Sequence, residues 1–255
     1  MLKVLLVLAL APASLVLSQP AQFADSVISY DPGTGFAPGF TNSAAALGEP
    51  SRSNPFGDTD PFDPPYGKAQ IVSIGAGGHL VLQFHTPILN HPNNLYGYDF
   101  TIFGNAGFII TNDFDLTTYD WIGIPATDGS LFGSSTGESR ISVSRDGINF
   151  YQLDSAKAPP VDSFPPTDGS GNFQVPLDPQ LNETDFEGAT LERIRALYNG
   201  SGGGASYDIS WAQDAAGNSV SLPEINFIRI DVLSGRAEID GVASVLRAPA
   251  SGRRD

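Results

Sequence analysis

Glu238 and Asp240 stand two residues apart in a segment that reads as extended, so both carboxylates point to one face, about 7 Å apart along the chain. Such a pair can serve a bound cation, or supply the two carboxyl groups that hydrolysis of a sugar requires. His79, His85 and His91 recur every six residues, which raises the question of a metal. On one extended strand His79 and His85 would lie about 20 Å apart, too far to share an ion, so isolated histidines are expected. Gly133-Ser-Ser135-Thr-Gly137 matches the nucleophile-elbow pattern, which needs a strand before it, a helix after it and a later histidine. A strand is expected to follow instead, and no histidine occurs beyond His91. Asp58, Asp60 and Asp63 cluster in one loop, and Asp168, Ser170 and Asn172 alternate in another. Neither has the sixth-position Gly with the twelfth-position Glu of an EF-hand, so solvated loop charge is the expected reading. Tyr96, Tyr98, Tyr119, Trp121 and Trp211 could stack on sugar rings, or pack within the fold.

These residues need a scaffold, and the scaffold reads as all-β. Of 255 residues, 41% are hydrophobic, enough for a substantial core, and 28 Gly with 20 Pro imply many turns and no helical bundle. His79 to His85 alternates, with Leu80, Leu82 and Phe84 on one face. Tyr98 to Phe103 alternates likewise, and Ile225–Val232 and Ile239–Val245 read as two further strands. Ile141 and Val143, a turn at Ser144-Arg-Asp-Gly147, then Ile148 and Phe150 predict a hairpin whose Asp-Gly pair supplies positive φ. Many short strands joined by Gly/Pro-rich connections predict a sandwich or jelly roll with long loops. Residues 51–67, 154–180 and 199–206 are expected as surface loops. Leu191, Ile194, Leu197 and Tyr198 recur at helical spacing and stop at Asn199-Gly200, which predicts one short core-facing helix.

Charge and the chain ends bound the setting. With 28 Asp+Glu against 13 Lys+Arg the formal net charge is -15, which excludes a basic face for nucleic acid. Cys is 0, so neither disulfides nor thiol chemistry are available. Residues 1–18 carry Lys3, then the apolar run Val4–Ala11, and end in Val16-Leu17-Ser18, the pattern of a secretory signal rather than a span. The expected organisation is a signal peptide at 1–18, one β-sandwich domain at 19–246 and a small, polar, disordered tail at 247–255. No integral span is expected after cleavage. An exported, acidic, disulfide-free chain suggests bound Ca²⁺ as the staple.

Several segments then resemble one family. Ser26-Val-Ile-Ser-Tyr-Asp-Pro-Gly33, Ala46-Leu-Gly-Glu-Pro50, Val72-Ser-Ile-Gly-Ala-Gly-Gly78, Asp99-Phe-Thr-Ile-Phe-Gly-Asn105, Ile141-Ser-Val-Ser-Arg-Asp-Gly147, Tyr207-Asp-Ile-Ser-Trp211 and Glu238-Ile-Asp240 resemble, in order and spacing, secreted bacterial cell-surface proteins. Members often carry a Pro-Glu-Pro C-terminal sorting signal. The resemblance implies a galactose-binding-like β-sandwich and a noncatalytic surface or matrix module. Two departures stand out: the sorting tail is missing, and Gly104 replaces the Glu of the family's Phe-Glu-Asn segment.

The resemblance also implies a site. In galactose-binding-type sandwiches the terminal strand can approach the loop after a central strand, which groups Asp99, Asn105, Glu238 and Asp240, with Asp208 from the Tyr-Asp-Ile-Ser match, as oxygen ligands for structural Ca²⁺. The expected function is a calcium-stabilised extracellular or cell-surface module with a glycan or surface protein as partner, and no catalytic residues. One alternative is a calcium-dependent jelly-roll polysaccharide hydrolase or lyase. Jelly-roll glycosidases resembling the Glu238/Asp240 pair carry a third carboxylate where this chain has Val242. The other alternative is a self-associating structural surface protein.

Overall fold

The computed structural model describes residues 22–135 and 137–246, so the expected signal segment and polar tail lie outside the described residues. The fold is all-β with one short helix. Ten strands build its framework: β1 (Ser26–Asp31), β2 (Val72–Gly75), β3 (His79–Leu89), β4 (Phe100–Gly104), β5 (Ser139–Ser144), β6 (Tyr151–Leu153), β7 (Ala205–Tyr207), β8 (Ala212–Gln213), β9 (Glu224–Val232) and β10 (Arg236–Ser244). They form two antiparallel sheets, β1-β3-β9-β5-β6-β8 and β7-β4-β10-β2.

The alternation in β3 sets the larger sheet. Leu80 pairs with Ile230 and Leu82 with Ile228, so branched apolar side chains lie opposite each other on one face. That face meets Val72, Ile74, Phe100, Ile102, Ile239 and Val242 of the smaller sheet in one core. Phe100 and Tyr207 stack there, centroids 5.2 Å apart, and the Tyr207 hydroxyl donates to the Pro159 carbonyl at 3.0 Å. Truncating a fully buried residue such as Leu82 to Ala should cost about 2–5 kcal/mol.

The helix α1 (Leu191–Tyr198) forms where the spacing places it. The Thr190 side chain caps its start, and Asn199 ends it at φ +48. Its buried face, Ile194 and Tyr198, packs on Phe108 and Phe186 in a second core.

Three expectations change. The hairpin exists, but its return strand begins at Tyr151, opposite Val143, and Arg145–Phe150 form a longer loop. Asp146 organises that loop by accepting from the N–H groups of Ile148 (2.9 Å) and Asn149 (2.8 Å), which leaves Ile148 exposed. Residues 154–180 are not a surface loop: Val161, Asp162, Thr167, Asp168, Phe173 and Leu177 are buried. The glycine run after α1 is interior too, because the backbone passes against Phe173, where a Cβ on Gly202 would come within 3.0 Å of its Cα. Composition marks these stretches as irregular, and irregular backbone enters the core here because its polar groups find partners, such as the Ser201 N–H on the Tyr198 carbonyl.

Candidate functional site

The five acidic and amide residues expected to share one ion stand at three places. Asp99 lies just before β4, Asn105 just after it, and the strand between them is about 17 Å long. Asp208 sits near Asp99, Glu238 beside Asn105, and Asp240 apart from both.

At the first place, Asp99 is buried and gathers three donors from two segments. Its Oδ1 accepts from Asn94 Nδ2 (2.8 Å) and the His91 N–H (3.2 Å), and its Oδ2 from the Ile209 N–H (2.8 Å). Burial pushes its carboxyl up to about 6, outweighing the N–H donors, and the charge of nearby Asp208 adds to the rise. Asp208 caps the short turn Ile209–Trp211 by accepting from the Ser210 N–H at 2.7 Å.

At the second place the central residue is one the sequence reading missed. Asp162 lies at the end of β4, where its Oδ1 accepts from the N–H groups of Asn105 (2.7 Å) and Ala106 (3.0 Å) and its Oδ2 from that of Glu238 (2.9 Å). Asp162 thereby ties β4 to β10, the two central strands of the smaller sheet. Its backbone adopts φ +52, a left-handed conformation costly to a non-glycine residue and held by these bonds. Burial pushes its carboxyl up to about 7, with the nearby Glu238 charge a further cause opposed by the N–H donors. Gly104 makes room for it: a Cβ there would lie 2.7 Å from the Asp162 Cα. Position 104 therefore has no room for a side chain while Asp162 occupies this place. Asn105 Nδ2 donates to Glu238 Oε2 at 2.5 Å, and Arg236 Nε lies 3.4 Å from Glu238 Oε1.

At the third place β10 bulges between Ile239 and Gly241, which separates the surroundings of Asp240 from those of Glu238. Both Asp240 oxygens are engaged by Ser51, one by its N–H and one by its hydroxyl, each at 2.7 Å. Burial pushes the Asp240 carboxyl up to about 7 against those two bonds. Among the described residues, no group of three or more His, Asp or Glu side chains is arranged to hold a metal ion.

The remaining candidates separate similarly. His79 Nε2 meets Ser29 Oγ at 3.1 Å, His85 Nδ1 meets Asp25 at 2.5 Å, and His91 uses its backbone on Asp99. Strand β5 follows the Gly133–Gly137 segment, as expected, and the Ser135 N–H donates to the Asp162 carbonyl at 2.7 Å. Asp168 corrects the solvated-charge reading: it is buried and pairs with Arg195 of α1 at 3.0 Å, which anchors the helix to the interior segment. Trp211 packs edge-on to Tyr98, centroids 5.9 Å apart, whereas Tyr119 is 79% exposed.

Trp121 stands differently from the other aromatics. It lies on a small ribbon in which Phe114 pairs with Trp121, the rings edge to face at 5.0 Å. Between this ribbon and the start of α1 opens a groove of about 570 Å³, lined by Trp121, Ile124, Asp60, Asp63 and Glu192 among others. Asp60 Oδ1 accepts from the N–H groups of Phe62 (2.8 Å) and Asp63 (3.0 Å), and burial raises its carboxyl above the usual range. The arrangement offers an aromatic face beside carboxylate acceptors. The sequence held a sign of it, since Ile109 to Ile124 is rich in apolar residues that lack a core period.

Among the described residues no helix is long and apolar enough to cross a membrane. No protein-family model matches the chain, and no curated protein matches it either.

Proposed function

We propose that the chain is an exported, noncatalytic surface or matrix module, a β-sandwich of the galactose-binding type, that holds a glycan in the groove beside Trp121. The observation that carries the reading is the Trp121 indole on a groove with Asp60, Asp63 and Glu192. A pyranose presents apolar C–H groups to an aromatic face while its hydroxyls donate to carboxylates, and binding sites typically combine apolar walls with a few convergent polar groups. Residues 1–18 support export. Binding rather than hydrolysis is favoured because Glu238 and Asp240 are engaged by protein partners at separate places.

A glycan array followed by affinity electrophoresis tests this. Wild-type protein should be retarded by at least one acidic-group-free polysaccharide, and Trp121→Ala should lose about tenfold or more in affinity with an unchanged melting temperature. Phe56→Ala, 80% exposed and outside the groove, should bind as wild type. Absence of any glycan binding, or equal binding by Trp121→Ala, rejects the reading.

A second reading draws on the same ribbon. Leu116, Tyr119, Ile122 and Ile124 are all exposed, and adjacent exposed apolar side chains of this kind mark association surfaces. Self-association through them would appear as concentration-dependent mass in sedimentation, abolished by Leu116→Asp with Ile124→Asp.

A further inference from the structure

A second groove, of about 440 Å³, opens at the end of α1 opposite to the Trp121 groove. Tyr96, Asp178, Leu197 and Asn199 are among its walls, so it repeats the parts of the first: an aromatic ring, a carboxylate and aliphatic surface. Tyr96 sits in the turn Leu95–Gly97 at φ +57, a conformation costly for a non-glycine residue. At Asp162 three hydrogen bonds hold the same conformation, whereas the Tyr96 ring stays 47% exposed and gains no place in a core. Backbone strain of this kind clusters at ligand sites. Partial desolvation, and after it the Asp178 charge, push the Tyr96 hydroxyl above its usual range, so ring and carboxylate stand close together. Asp178 is half-buried, and its Oδ1 accepts from the Gln180 N–H at 2.9 Å. That bond uses one of about four acceptor positions on the carboxylate and leaves others for a sugar's hydroxyls.

One face of α1 joins the two grooves. Glu192 belongs to the first and Ala196 and Asn199 to the second, and at positions i, i+4 and i+7 the three follow one another along the helix. All three are exposed. At 1.5 Å per residue the stripe from Glu192 to Asn199 is about 10 Å long, more than a single sugar ring spans. Ala196, at its middle, raises only a methyl group between the grooves. We infer that one unbranched polysaccharide chain lies along this face of α1, with one sugar ring on Trp121 and another, further along the same chain, on Tyr96. The inference rests on the glycan reading of the first groove and extends it: the protein grips the interior of a long chain rather than a single sugar or a free end. Once a ring is seated on Trp121, the second contact is intramolecular, so chain length itself raises affinity.

Titration calorimetry with cello-, xylo-, manno- and malto-oligosaccharides, each series running from dimer to hexamer, tests this on the full chain. In at least one series the hexamer should bind more than about tenfold tighter than the dimer. Tyr96→Asn removes the ring but keeps a residue type that tolerates the left-handed backbone, so its melt should match wild type. That variant should weaken hexamer binding about tenfold and dimer binding by about twofold at most, whereas Trp121→Ala should weaken both. The inference fails if no series shows this dependence on length, or if Tyr96→Asn binds the hexamer as tightly as wild type. Trp121-dependent glycan binding that persists in either case leaves the single-groove reading standing, while absence of all glycan binding overturns both.

Discussion

The two ends of β4 solve one problem in two ways. At each end a buried aspartate gathers three N–H donors from two segments, Asp162 from Asn105 and Ala106 and from Glu238, and Asp99 from His91 and Asn94 in the loop before it and from distant Ile209. In a chain without cysteine, such carboxylates take the place of cross-links. The Asp162 donors are all backbone, two directly after β4 and one in β10, the two central strands of the sheet, whereas one Asp99 donor is a side-chain amide whose oxygen has no partner among the described residues. A carboxylate that ties strands through backbone donors alone is fixed by the sheet, while Asp99 ties loops beside a cavity and depends in part on a side-chain amide.

The largest effect should come from removing the two carboxylates in turn. Asp162→Ala strips three buried N–H groups of their acceptor, each worth about 1–3 kcal/mol, so the loss is on the order of 5 kcal/mol, a large part of a typical domain's stability. A fall of roughly 10–20 °C in melting temperature is expected for a chain of this size. Asp99→Ala frees a similar set of donors next to a cavity that admits water, so its fall should be about half as large. Equal falls would erase the distinction between the two ends.

Acidity sharpens the comparison next. The carboxyls of Asp162 and Asp240 are raised to about 7 and that of Asp99 to about 6, all by burial first. A raised carboxyl makes the folded state hold more protons than the unfolded chain, so stability decreases as pH rises, beginning near 4 and ending near the folded value. Asp162 alone accounts for on the order of 4 kcal/mol across that window. Asp25 and Asp146 oppose this below about pH 4, because hydrogen bonds hold their carboxyls low and that stability is lost as pH falls. Denaturant midpoints should therefore peak near pH 4 to 5 and decline to pH 7.5. Asp162→Asn should flatten the decline through pH 7, and Asp99→Asn only the part below about pH 6. A midpoint that rises from pH 5 to 7.5 contradicts the assignment.

Period made the strands legible and depth did not follow from it. Leu80, Leu82 and Phe84 announce β3 because alternation and burial coincide, and Asn199-Gly200 announces the end of α1 because a left-handed residue must close it. Residues 154–180 read correctly as irregular, but Val161, Asp162 and Phe173 are buried by partners supplied from Gly104, Glu238 and the glycine run, which no local pattern encodes. The same limit applied to the site. Asp99, Glu238 and Asp240 could be picked out as unusual acids on strands, and all three are buried. Whether they meet depends on the bulge at Asp240 and on which side Asn105 turns to Glu238, and both are outcomes of tertiary packing.

The smallest effect expected is that of calcium, and it tests whether the Asp240 and Glu238 carboxylates work as hydrogen-bond acceptors. Calcium takes six to eight oxygens, yet Asn105 turns its NH₂ rather than its oxygen to Glu238, Arg236 lies on the other Glu238 oxygen, and Ser51 holds both oxygens of Asp240. An ion at about a hundred times its Kd would add roughly 2.7 kcal/mol, or several degrees of melting temperature. With these carboxylates engaged by N–H and O–H donors, dialysis against chelator should move the melt by less than about one degree, and Asp240→Asn should lower it by a few degrees equally with and without calcium, since the new amide turns a donor toward Ser51. A rise of several degrees in calcium but not magnesium, lost in Asp240→Asn, would mean that Asp240 leaves Ser51 for the ion. The same rise retained in Asp240→Asn would place the ion on other oxygens.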